Sequence, residues 1–259
     1  MSNDLSRMLN DWEFDPEAVR VRIVSGDDGR QKLQLRVDLG MLQMEMEGRP
    51  DGTRPEGFES WLDYYERQQQ AYDETHLDSA PFVLGEQDCL RLWREGVQYY
   101  HRYLSLWHLE MYESCARDTA RNLRLFAFVR RYAQDERHKL QFDQWRPYVL
   151  MMHTRTVATP LLRQELYEDG LRVIEAGIEG IREFLDEYDQ SQRAEECVEL
   201  TTLERWREEI LAKEDRAAAA RPKSAIQILR QQLETAIAAE EFEEAARLRD
   251  QIRKLTTDN

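Results

Sequence analysis

Val19, Val21 and Ile23 alternate with Arg20 and Arg22, and beyond the turn cluster Ser25–Gly29 the alternation resumes with Leu33, Leu35, Val37 and Leu39. A period of two in two runs, joined by a glycine-bearing turn, predicts a β-hairpin. After Gly40 the apolar positions move to even numbers, Leu42, Met44 and Met46. One buried face survives that shift only if Gly40 absorbs an extra residue as a bulge or bend, or if a new strand begins there. The stretch Arg49–Gly57, with Pro50, Gly52 and Pro55, closes this unit as a loop. Arg49, Asp51 and Arg54 within it read as a polar turn more readily than as a ligand site. Two strands are marginal in water by themselves, so the hairpin has to lie on helices, on a third strand or on a second copy of itself.

From Phe58 the period turns helical, with Phe58, Trp61, Leu62 and Tyr65 on one face. A loop from His76 to Gly85 separates this helix from the next. Gly96 and Pro147 then bracket 50 residues without Gly or Pro. A single helix of that length would extend about 75 Å, so breaks are predicted near Glu110–Glu113 and near Gln134–Glu136. The block Tyr100–Tyr132 has the length of a tetratricopeptide unit. Leu104, Ala120 and Ala127 fall at matching spacings, although His108, Met111 and Arg124 depart from that pattern. Farther on, Leu171, Ile174, Ile178, Ile181 and Leu185 form an apolar stripe. Ala176, Gly177 and Gly180 beside it are small enough to admit a close neighbour. Pro222 disfavours helix at the residue before it and marks a boundary.

Past that boundary Ile226, Leu229, Leu233 and Ala236 recur as a narrow coiled-coil seam, and Phe242, Ala245, Arg249, Ile252 and Leu255 continue it on a second helix. Glu240–Glu244 put acids at the positive end of that helix, and Ala238–Glu241 leave room only for a tight turn. The wording Leu233, Ala236, Phe242-Glu243, Ala245-Ala246, Leu248-Arg249-Asp250, Ile252, Leu255 resembles the UVR motif. That motif ends the excision-repair helicase subunit, occurs in its nuclease partner, and recurs in Clp ATPases and the activator of protein arginine kinase. The segment Lys32–Gly52 also resembles one in bacterial proteins that end in the same motif, a likeness to which no activity attaches. Two thin helices cannot hide such a seam from water, so the resemblance and the apolar count together imply a second surface. A second hairpin of the same kind, making a four-helix arrangement, is the simplest. The alternative is that the hairpin caps the protein's own helical body. Leu229, Leu233, Phe242, Ala245, Leu248, Arg249, Asp250, Ile252 and Leu255 are the expected binding residues, with Arg249 and Asp250 suited to pairing across the contact.

The composition narrows the function. The 259 residues carry 51 acidic against 36 basic side chains, a net charge of -15, which repels phosphate backbones in general. Residues 223–259 hold six basic and seven acidic groups, so the hairpin itself has no basic footprint. Arg117, Arg121, Arg124 and Arg131 do recur on one helix face. They form either a dock for an acidic peptide, phosphorylated partner or RNA, or an internal neutralising contact with the acidic residues around Glu195–Glu209. Cys89, Cys115 and Cys197 are far apart and odd in number, which suits reduced thiols in a cytoplasmic protein. Residues 1–12 do not read as a signal peptide, and no run is apolar enough for a membrane span. A carboxylate-bridged di-metal site needs Glu-x-x-His twice, and the sequence has only Asp73-x-x-His76 and Asp135-x-x-His138. His101 and His108 read as polar core residues. No phosphate loop, nucleophile elbow or Cys/His dyad is present.

The sequence therefore predicts an α+β, mainly α protein. It has a β-hairpin module at 1–57, an antiparallel, tetratricopeptide-like helical body at 58–221 and a UVR-type hairpin at 222–259. The expected role is a non-enzymatic protein–protein adaptor or scaffold without cofactor or metal, acting by self-association or partner binding. The alternative is an accessory factor in nucleic-acid repair or processing, using the arginine face on DNA or RNA.

Overall fold

The computed structural model describes residues 4–76, 80–220 and 225–257, with side chains described up to 216 in the second segment and for 228–253 in the third. After a short helix α1 (Ser6–Asn10), three strands form one antiparallel sheet in the order β1 (Val21–Ser25), β2 (Gln31–Val37) and β3 (Gly40–Glu45). The change of phase at Gly40 is a strand boundary and not a bulge. β2 and β3 pair as Leu33 with Met44, Leu35 with Leu42 and Val37 with Gly40. A two-residue turn makes odd positions face even ones, so the apolar face is unbroken. Leu39, in phase with the strand by sequence, is a turn residue and 90% exposed.

That face, with Leu33, Leu35 and Met44 buried, packs into a core shared with helices α2 (Trp61–Thr75), α3 (Glu86–His108) and α4 (Tyr112–Tyr132). The sheet therefore does not stand alone, as a small sheet could not. Its other face is closed by polar side chains. Gln34 accepts from Arg22 at 2.8 Å and donates to Gln43 at 2.9 Å. Arg36 donates to the Trp12 carbonyl at 2.8 Å, and the Arg22 guanidinium lies over the Trp12 ring.

The predicted breaks in the long helical run fall at 109–111 and 133–135, and α2 ends at Thr75 while α3 begins at Glu86. α5 (Glu136–Asp143), α6 (Arg146–Arg163), α7 (Tyr167–Glu187) and α8 (Val198–Ala220) follow. Ala120 and Ala127, which a tetratricopeptide register would turn inward, are exposed, so that spacing does not organise α4. The stripe from Leu171 to Leu185 is buried and forms a second core with Ala158, Leu200, Leu203 and Ile210. Gly177 makes the close approach to α6: a Cβ there would lie 2.0 Å from the Thr154 hydroxyl. Ala176, expected to serve the same contact, is exposed.

Helices α9 (Ala225–Ala238) and α10 (Phe242–Thr257) make the pair predicted at the C-terminal end. The boundary placed at Pro222 lies outside the described residues. Four helix ends share one turn. Glu110, Glu165, Asp189 and Glu240 each adopt a positive φ between 54° and 60°. In each, the following N–H reaches back five residues, as from Glu241 to the Ala236 carbonyl at 2.9 Å and from Met111 to the Leu106 carbonyl at 2.9 Å. This is the Schellman closure, here built without the glycine that favours it. By its internal contacts the chain divides into two compact units, Met1–Ile210 and Leu211–Asn259.

Candidate interaction site

Three of the four stripe arginines of α4 are held by carboxylates of the first unit. Arg121 pairs with Glu95 of α3, a side chain with no exposure. Arg117 pairs with Glu47 and, at 3.0 Å, with Asp118. Arg124 reaches Asp63 at 2.9 Å and Glu66 at 3.1 Å on α2. Arg131 lies over the Tyr132 ring. Internal neutralisation is thus what the described contacts show for three of the four. The acids lie on α2, on α3, on α4 itself and after β3, not around Glu195–Glu209. Burial lowers the pKa of Arg121, with Glu95 acting against it.

Beneath this face is a buried charge network that periodicity alone did not reveal. Arg102 donates to both oxygens of Asp118, at 2.5 and 2.8 Å, and to the Gly48 carbonyl at 2.8 Å. Both partners are 1% exposed. Glu95 accepts from the Trp61 and Leu62 N–H groups at 2.7 and 3.2 Å, placing an anion at the start of α2. Arg49 of the loop joins it at 3.1 Å. Arg49 is thus part of the frame, Asp51 accepts from Gln98 at 3.0 Å, and Arg54 pairs with Glu59. A signal was present: Glu95 and Arg102 fall seven apart, in phase with Leu92, Tyr99, Tyr103 and Leu106 on the apolar stripe of α3.

In the second unit the nine expected seam residues separate. Ala245 and Leu248 are buried together with Ala236, and Leu229 and Leu233 pack against them, so these close α9 on α10. Ile252 is half-buried. Phe242 is 70% exposed at the first position of α10. Arg249 is exposed and Asp250 half-buried, and they pair with each other at 3.2 Å. Leu255 lies on α10, with its side chain outside the described residues. Two residues the pattern did not single out are also exposed, Ile228 at 45% and Ile237 at 54%. Ile237 in the last turn of α9 and Phe242 flank the Ala239–Glu241 turn. The acids Glu243 and Glu244 sit in the first turn of α10, where the helix dipole favours them.

Among the described residues no group of three or more His, Cys, Asp or Glu side chains is arranged to hold a metal ion. None of the described helices is long and apolar enough to cross a membrane. No curated protein and no solved structure matches the chain. Residues 223–257, the stretch that carries both helices of the pair and the turn between them, match the family model described as the UvrB/uvrC motif, UVR.

Proposed function

We propose that this protein is a non-enzymatic, cytoplasmic adaptor that binds other proteins through its UVR hairpin. A second hairpin of the same kind, on another copy of this chain or on another UVR protein, is its natural counterpart. The observation that carries this reading is the 70% exposure of Phe242 beside an inner contact of only small size, Ala236, Ala245 and Leu248 with Leu229 and Leu233. A large aromatic left in water next to a short apolar seam is the kind of residue that becomes the anchor of an interface. Ile228 and Ile237 add to the apolar surface left uncovered. Three of the four arginines that a nucleic-acid contact would rest on, Arg117, Arg121 and Arg124, are engaged by Glu47, Glu95, Asp63 and Glu66, which favours the protein-binding reading over the repair-accessory one. Capture of partners from the native host, with the full chain and with a chain lacking residues 222–259, tests it. The full chain retains a defined partner set that the shortened chain loses. Identical sets from both would refute the role given to the hairpin.

A further inference from the structure

The two helices of the hairpin are joined by the turn at 239–241, so the start of α9 and the end of α10 lie together at the opposite end. Charge divides between these ends. Residues 231–246, the half beside the turn, hold Glu234, Glu240, Glu241, Glu243 and Glu244 and no Lys or Arg. Residues 225–230 and 247–257, the half away from it, hold Arg230, Arg247, Arg249, Arg253 and Lys254 against Asp250. The near balance of the whole hairpin conceals an anionic end and a cationic one. All five of these glutamates are exposed, as are the four arginines. Each half also carries uncovered apolar surface: Ile237 at 54% and Phe242 at 70% beside the turn, and Ile228 at 45% in the far half.

Helix stability does not explain the division. On α10 acids precede bases, as the helix dipole favours. On α9 the order is reversed: Arg230 precedes Glu234, the first turn has no acid and the last has no base. The charges follow height along the hairpin, not position relative to each helix's own dipole. Pairing inside the hairpin is local. Arg247 reaches Glu244 at 3.6 Å across the boundary between the halves, and Arg249 reaches Asp250 at 3.2 Å. The turn half has no base of its own, so a surface that covers Ile237 and Phe242 has to bring positive charge to their rim. The far half of a second copy has that charge around an exposed isoleucine.

The match fixes a direction. Two hairpins side by side with their turns together would set glutamates beside glutamates and arginines beside arginines, which weakens the contact. With one hairpin reversed, each turn half lies on the other's far half, and the same contact occurs twice about a two-fold axis that closes the pair. We propose that two copies of this chain pair through their hairpins in this antiparallel sense, with the division of charge setting the direction. The proposal rests on the hairpin-to-hairpin reading given above and adds to it the partner and its orientation.

Light scattering and pyrene excimer emission test it on the full chain, with the half-buried Cys197 replaced by serine and Cys89 and Cys115 left buried. The 16 residues of α10 make the hairpin about 24 Å long, so antiparallel pairing holds the two turns at opposite ends. Pyrene on Ala239→Cys alone gives no excimer, and its mixture with pyrene on Arg253→Cys gives one. Glu241→Lys/Glu243→Lys and Arg249→Glu/Arg253→Glu each weaken self-association at least about tenfold, because every altered contact occurs twice. A mixture of the two charge variants associates again, and circular dichroism confirms the fold of each. Excimer emission from Ala239→Cys alone would overturn the antiparallel sense and leave self-association standing. Undiminished association of both charge variants would remove the charges as the cause of the direction. A wild type that stays monomeric at every concentration would refute the second copy as partner, whereas capture of other proteins by the hairpin is decided separately by the shortened chain.

Discussion

Arg102 and Arg124 are alike in charge and opposite in consequence. Arg102 is enclosed, with its guanidinium on both oxygens of Asp118 and on the Gly48 carbonyl. Replacing it with methionine keeps the bulk but leaves the buried Asp118 with only the part-exposed Arg117 beside it, at a cost of about 3–5 kcal/mol. Arg124 is 53% exposed, and its pairs with Asp63 and Glu66 are open to water. Exposed pairs of this kind contribute about 0–1 kcal/mol. Denaturant unfolding should therefore show a large loss for Arg102→Met and almost none for Arg124→Ala. Equal losses would mean that the buried pair does not hold the loop after β3 to the helices. Sequence alone could not rank these two arginines. Both belong to helices with clear apolar stripes, and what separates them is which neighbour arrives from a distant part of the chain.

At the scale of elements, much of the fold is legible in the pattern. The helix breaks at 109–111 and 133–135 follow from the length of a run that no compact protein could carry as one rod. The stripe from Leu171 to Leu185 is buried as its spacing requires. The third strand was only an alternative, because a two-residue turn and a bulge produce the same shift of phase in one dimension. The tetratricopeptide spacing misled for a related reason: it fixes which residues share a face, but not which face is covered. Small residues carry the same ambiguity, and α7 tests it. Gly177→Ala pushes a methyl into Thr154 and should cost about 1–3 kcal/mol. Gly180→Ala meets nothing closer than 3.5 Å and should stabilise by about 0.4–1 kcal/mol, since alanine restricts the unfolded chain more than glycine does. Melting temperatures of the two variants should move in opposite directions. A shift of the same sign in both would mean that α6 and α7 do not approach at Gly177.

At the scale of the whole molecule, the two units differ in how much of their apolar surface they bury. The first, Met1–Ile210, has two buried cores and a closed charge network, as a stable frame should. The second, Leu211–Asn259, has a small core and leaves its largest apolar side chain in water. The nine seam residues were recognisable from their spacing and from the UVR wording. Their division into inner and outer sets was not, because heptad spacing is the same whether a helix meets its own hairpin partner or another chain. A net charge of -15 opposes contact between copies, so association belongs in a buffer near physiological ionic strength, where charges are screened beyond about 8 Å. The most direct test of the hairpin's role is the molar mass by light scattering of the full chain and of Phe242→Asp over a dilution series. The wild type should approach twice 30.9 kDa at high concentration and fall toward 30.9 kDa on dilution. Phe242→Asp should remain at the lower value, because an unpaired carboxylate in the contact costs several kcal/mol. The same mass for both proteins at every concentration, with the same partners captured by both, would contradict the account.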